Sequence, residues 1–170
     1  HLDWRNLLGV CHGGSQKDVP DADWRFSENK GDRSCDVPKG GKEITDRILN
    51  PLKLPGNIRL FRYTEHNGRM YVDEETCPEE LKWKAKNTIK ELNLNAPRLM
   101  RMRKAVIDKL TDELMLALAE GQGFDETLEW LAESFLLPDH KNRSIPFFTV
   151  IRWYLGEAAE KLIASSGTKL

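Results

Sequence analysis

Apolar positions in this chain fall into two regimes: sparse and interrupted before residue 76, and recurring at helical spacing after it. Leu99, Met102, Val106, Leu110, Leu114 and Leu118 repeat every three or four positions, which predicts a helix with one buried stripe. Asn95 is expected to cap that helix, with Pro97 in its first turn and Gly121 and Gly123 ending it. The helix before it opens with Thr76 and Glu79 at capping-box spacing and runs to about Leu92. Leu128, Leu131 and Phe135 mark a third helix that stops before Pro138. Ser144 and Pro146 open a fourth, with Phe148, Ile151, Leu155, Ala158 and Leu162 on its apolar side.

Ahead of the helices, Ile58–Tyr63 and Met70–Val72 flank Glu65-His66-Asn67-Gly68, and Asn-Gly between two such runs predicts a β-hairpin. Residues 12–43 form a polar stretch rich in Gly, Asp, Lys and Ser, expected to be a long loop. The fold class is therefore α+β, mostly α. A head spanning residues 1–75 holds the loop and hairpin, and residues 76–170 make a helical domain of about four helices.

At 170 residues and 39% hydrophobic, the chain can bury one real core. A net charge of −1 excludes a strongly basic nucleic-acid coat. Three irregularly spaced cysteines argue against a secreted disulfide framework and for a reducing, cytoplasmic setting. The run from Ile145 to Leu155 carries Arg152 and falls short of the roughly 20 apolar residues that span a bilayer, so no membrane association is expected. The chain opens on His1-Leu2-Asp3-Trp4 without Met or a leader, and is expected to be the later part of a longer protein.

Two strings contain the candidate chemistry. In the first, Asp3-Trp4-Arg5-Asn6-Leu7-Leu8-Gly9-Val10 leads to Cys11 at an expected strand end; in the second, Cys35-Asp36 precedes Pro38-Lys39-Gly40-Gly41. Thiolates hold zinc tetrahedrally, and a closed site needs four ligands. On spacing alone, two thiols 24 positions apart are more often unrelated. Asp36 equally suits a plain turn. Lys39-Gly40-Gly41-Lys42 lacks the complete phosphate-loop pattern, so nucleotide binding there is rejected.

Taken with Leu92-Asn93-Leu94-Asn95-Ala96-Pro97-Arg98-Leu99 and the following Arg103-Lys104-Ala105, these strings resemble the PtuB-type HNH endonucleases of Septu and retron-associated antiviral systems. The resemblance covers residues 1 to about 110 and implies a partial ββα-metal head. By that resemblance Cys11 and Cys35 are structural Zn²⁺ ligands, the other cysteine pair lying before residue 1. Asp36 holds a catalytic Mg²⁺ or Mn²⁺, Asn6 ties down the loop, and Lys39 meets phosphate. Those ions would polarise the scissile phosphate of DNA. The resemblance also implies a PtuA-type ATPase partner and association with a retron reverse transcriptase and its msDNA. The general-base histidine belongs upstream of Asp3; His1 and His12 are not promoted to it, and the chain alone is expected to be inactive.

Lys82, Lys84, Lys86, Lys90, Arg98, Arg101, Arg103, Lys104 and Lys109 crowd the first two helices. Such a run is either a solvated face or, through Arg98, Arg101 and Arg103, a contact with a nucleic-acid backbone. Trp130, Phe135, Phe147, Phe148, Trp153 and Tyr154 are expected mainly in the core, with a remainder able to dock a partner. A rival to the nuclease reading is a non-enzymatic helical adaptor with a zinc-stapled loop. Cys77, beside a helix start, is expected to be a non-ligand thiol.

Overall fold

A computed structural model describes residues 12–17, 26–54, 58–137 and 145–166, the side chain of Asp36 excepted. The expectations for Asn6, Cys11 and Ser144, and for the Asp36 side chain, lie outside the described residues. Among the described residues the chain is mostly helical with one two-stranded antiparallel sheet, β1 (Phe61–Tyr63) beside β2 (Met70–Val72). Four longer helices follow: α1 (Glu79–Glu91), α2 (Pro97–Ala119), α3 (Phe124–Leu136) and α4 (Phe148–Ser166). No described helix is long and apolar enough to cross a membrane.

Alternation forms the hairpin. Tyr63, Met70 and Val72 turn inward while Arg62 and Tyr71 face out, and Phe61 pairs with Val72, Arg62 with Tyr71, and Tyr63 with Met70. The Thr64 amide donates to Arg69 O at 3.0 Å, so the connection is Glu65 to Gly68 rather than a tight Asn-Gly pair. Gly68 closes it at φ +68°, a conformation glycine adopts at little cost.

Both predicted side-chain caps are absent, because those side chains are used in tertiary contacts. Thr76 Oγ1 donates to Arg59 O at 2.6 Å, and the residue before α1 is Pro78, with no side-chain cap. Asn95 spends its carboxamide on Met70, and α2 starts after Ala96 with Pro97 in its first turn. Glu79 and Glu80 at the start of α1 and Lys90 near its end still complement its dipole. Gly121, at φ +87°, ends α2 as expected.

Three clusters make the core. Leu110, Leu114, Leu131, Ala132, Leu136, Ile151, Leu155 and Ala159 join α2, α3 and α4. Leu49, Leu60, Val72, Cys77 and Ala85 close the hairpin over α1. Tyr63, Met70, Ile107 and Val150 lock the inner face of the hairpin to α2 and α4. Tyr63 adds an edge-on contact with Trp153 at 5.7 Å and a 2.8 Å hydrogen bond with Thr149. The fourth helix differs from the continuous one expected: Gly156, at φ +55° and ψ −123°, breaks it.

Candidate metal and nucleic-acid site

The segment Leu92–Ala96, between α1 and α2, organises the surroundings of Cys35. Leu92 O accepts from the Cys35 amide at 2.8 Å. Asn93, itself at φ +45°, donates from Nδ2 to Gly31 O and Arg33 O, both at 2.8 Å. In the first turn of α2, Arg98 Nη2 donates to Ser34 Oγ at 2.8 Å. The loop therefore lies against a rigid helix start, and the backbone of Cys35 is held at φ +64°. Such a conformation costs a non-glycine residue about 1–3 kcal/mol and persists only when its surroundings over-determine it.

The other side of this loop touches the stretch that follows Cys11. Ser34 N donates to Gly13 O at 3.0 Å, and a Cβ on Gly13 would lie 2.2 Å from Ser34 O. Only glycine permits that approach, and Gly13 also takes φ +58°. Gly13, two residues after Cys11, is thus held against the residue that precedes Cys35. Cys35 is half-buried, with Ser34 Oγ 3.7 Å from its Sγ. Asp36 begins a one-turn helix, Asp36–Lys39, and Lys39 is half-buried at its end.

Arg98 is the electrostatic anomaly. It is 4% exposed, its Nε has no hydrogen-bond partner, and among the described residues no carboxylate pairs with it. Burying a guanidinium away from water is costly unless its donors are paired. Among the described residues no three His, Cys, Asp or Glu side chains are grouped to hold a metal ion. Cys35 is the described donor, and a four-ligand zinc site would need donors beyond those residues.

The remaining predicted arginines separate. Arg103 is buried and holds protein groups: Nη2 donates to Leu94 O at 2.5 Å, Nη1 to Gly68 O at 3.3 Å, and its guanidinium lies 5.6 Å from the Tyr63 ring centre. Burial lowers its affinity for the proton. Arg101 is exposed and lines an open cleft of about 480 Å³ with His66, Asn67, Met100, Lys104 and Asp108. Of the three, Arg101 is placed to meet solvent or a polyanion, whereas Arg98 and Arg103 face inward, each on the buried side of α2.

Sequence reasoning missed Asn93 and Asn95 as organising residues. The signal was the Leu-Asn-Leu-Asn alternation itself, since two amides flanked by apolar residues at a helix junction suit backbone-binding carboxamides. Cys77 is 4% exposed in the second core cluster, and burial pushes its thiol up.

No family model matches the chain, and no solved structure matches it. Among curated proteins, it is 32% identical to the "Retron Ec83 putative HNH endonuclease" of Escherichia coli over an alignment of 126 residues, covering 63% of this chain and 46% of that protein. The chain therefore spans less than half the length of that relative. The sequence is similar to that of a retron protein named as an HNH endonuclease.

Proposed function

We propose that this chain belongs to a PtuB-type, HNH-type metal-dependent DNA endonuclease subunit. In this reading it serves a prokaryotic antiviral system in the cytoplasm and acts with a PtuA-type ATPase and a retron reverse transcriptase–msDNA complex. The observation that carries the reading is the 32% identity to a retron protein named as an HNH endonuclease, and the Gly13–Ser34 contact, two residues after Cys11 and one before Cys35, is compatible with it.

Cys11 and Cys35 would share a structural zinc, Asp36 would hold Mg²⁺ or Mn²⁺, and Asn6 would fix the loop. A divalent ion there supplies Lewis acidity to a phosphodiester. Lys39 would meet phosphate near the ion, and Arg101 a more distant one, fixing register rather than sequence.

Elemental analysis of the protein tests this, wild type beside a Cys11→Ser, Cys35→Ser double variant. Zinc lost on substitution, with plasmid cleavage in Mg²⁺ or Mn²⁺ abolished by Asp36→Ala, is the expected result. Absence of zinc from both samples would overturn the shared site. It would favour the adaptor reading, which rests on Phe124 and Trp130, 54% and 49% exposed on α3.

A further inference from the structure

The outer face of the hairpin combines features that the cleavage reading leaves unused. Arg62 and Tyr71 are register partners, and both are exposed. Arg69, two residues before Tyr71, shares its face and sets its guanidinium 5.7 Å from the Tyr71 ring centre. The neighbouring carboxylates are committed elsewhere, Asp73 to Arg59 and Glu74 to Lys82 and Lys86. Among the described residues neither Arg62 nor Arg69 forms an ion pair. With Lys86 they border an open cleft of about 280 Å³.

We propose that this face binds single-stranded nucleic acid, an unpaired base stacking on Tyr71 while adjacent phosphates meet Arg62 and Arg69. Two guanidiniums without carboxylate partners on one short sheet call for a polyanion. The ring, 41% exposed between them, selects which polyanion. A duplex keeps its bases stacked on one another, whereas an unpaired base offers its face to an aromatic side chain and gains from a flanking guanidinium. Peptide carboxylates would satisfy the arginines and leave the ring unused. The proposal goes beyond the cleavage reading, since it needs neither metal nor chemistry.

Fluorescence anisotropy in EDTA tests it, using the full chain with labelled oligothymidylate, a duplex of equal length, and heparin as competitor. Oligothymidylate is expected to bind more tightly than duplex. Tyr71→Ala, and Arg62→Ala with Arg69→Ala, should each weaken it by about tenfold, while Tyr71→Phe keeps it. Heparin affinity should fall with the arginine pair and ignore Tyr71→Ala. Failure of the wild-type chain to bind oligothymidylate, or equal binding by Tyr71→Ala with an unchanged melting curve, would overturn the proposal. Asp36→Ala should bind as wild type does, so loss of cleavage and loss of this surface remain separable outcomes.

Discussion

The carboxamide of Asn95 bonds to both backbone groups of Met70, Oδ1 accepting from the amide at 2.8 Å and Nδ2 donating to the carbonyl at 2.9 Å. In this ladder Thr64 bonds to Arg69 and Leu60 to Asp73, so Met70 directs its backbone groups away from β1. A single side chain thus stands where a third strand would, closing an edge that would otherwise be open. Asn95→Ala should cost about 1–3 kcal/mol, because it strands a donor and an acceptor together. Asn95→Asp should be no better, since a carboxylate faces the Met70 carbonyl with no proton to give. Urea unfolding reads both, and an unchanged midpoint for either variant would refute the edge-closing role.

Gly68 sits where the hairpin meets α2. A Cβ there would lie 2.4 Å from Met100 O and 2.8 Å from Lys104 N, and the residue holds φ +68°. Gly68→Ala should destabilise by at least about 2 kcal/mol, combining backbone strain with a collision against backbone atoms. Gly40, also at positive φ but with open space around its missing Cβ, is the comparison: alanine there should cost less. Equal losses at the two sites in thermal melts would contradict the close approach.

Arg101 and Arg103 should separate cleanly in experiment. Arg101→Ala is expected to lower DNA affinity evenly across sequences and reduce the salt slope by about one, with melting unchanged. Arg103→Met should instead destabilise by about 3 kcal/mol, since Leu94 O and Gly68 O lose their donor. A salt slope that moves with Arg103 and not Arg101 would reverse the assignment.

Acid should loosen the hairpin through Asp73. Burial works to raise its carboxyl, but the Glu75 and Thr76 amides and Arg59, 3.0 Å away, hold it below the ordinary value. A folded pKa below the unfolded value of about 3.9 stabilises the fold fully above that pH. The contribution is lost as pH falls through the lower, folded value. Asp73→Asn should therefore be less stable than wild type at neutral pH, and the gap should close below about pH 4. A gap that stays constant down that range would show that ionisation of Asp73 does not matter.

Helices and hairpin were legible because burial imposes period and alternation directly on the residue pattern. Caps were not: Thr76 and Asn95 have the right chemistry for a helix start, and only the tertiary structure decides whether a side chain serves its own helix or a strand beside it. The same limit applied to the arginines. Charge composition marked α2 as basic, but which guanidiniums turn inward depends on the phase of that helix against the hairpin, where Arg98 and Arg103 share the buried side with Ile107 and Leu110. The contact between the stretch after Cys11 and the loop before Cys35 rests on Gly13 and Ser34, residues with no chemical signature of their own.

The broken last helix has a geometric consequence. Arg152 grips Glu160 through Nε at 2.8 Å and Nη2 at 2.6 Å, although eight residues of straight helix would part them by about 12 Å of rise. The pair can close only because the chain changes course at Gly156, whose dihedrals lie where a side chain is not tolerated. Residues 157–166 are therefore a second arm, aimed by one pair of backbone angles, tied back by the Arg152–Glu160 pair and seated in the core through Ala159. Turning that corner would pull Ala159 away from Ile151 and Leu155, so the two angles of Gly156 set the packing on both sides of the bend.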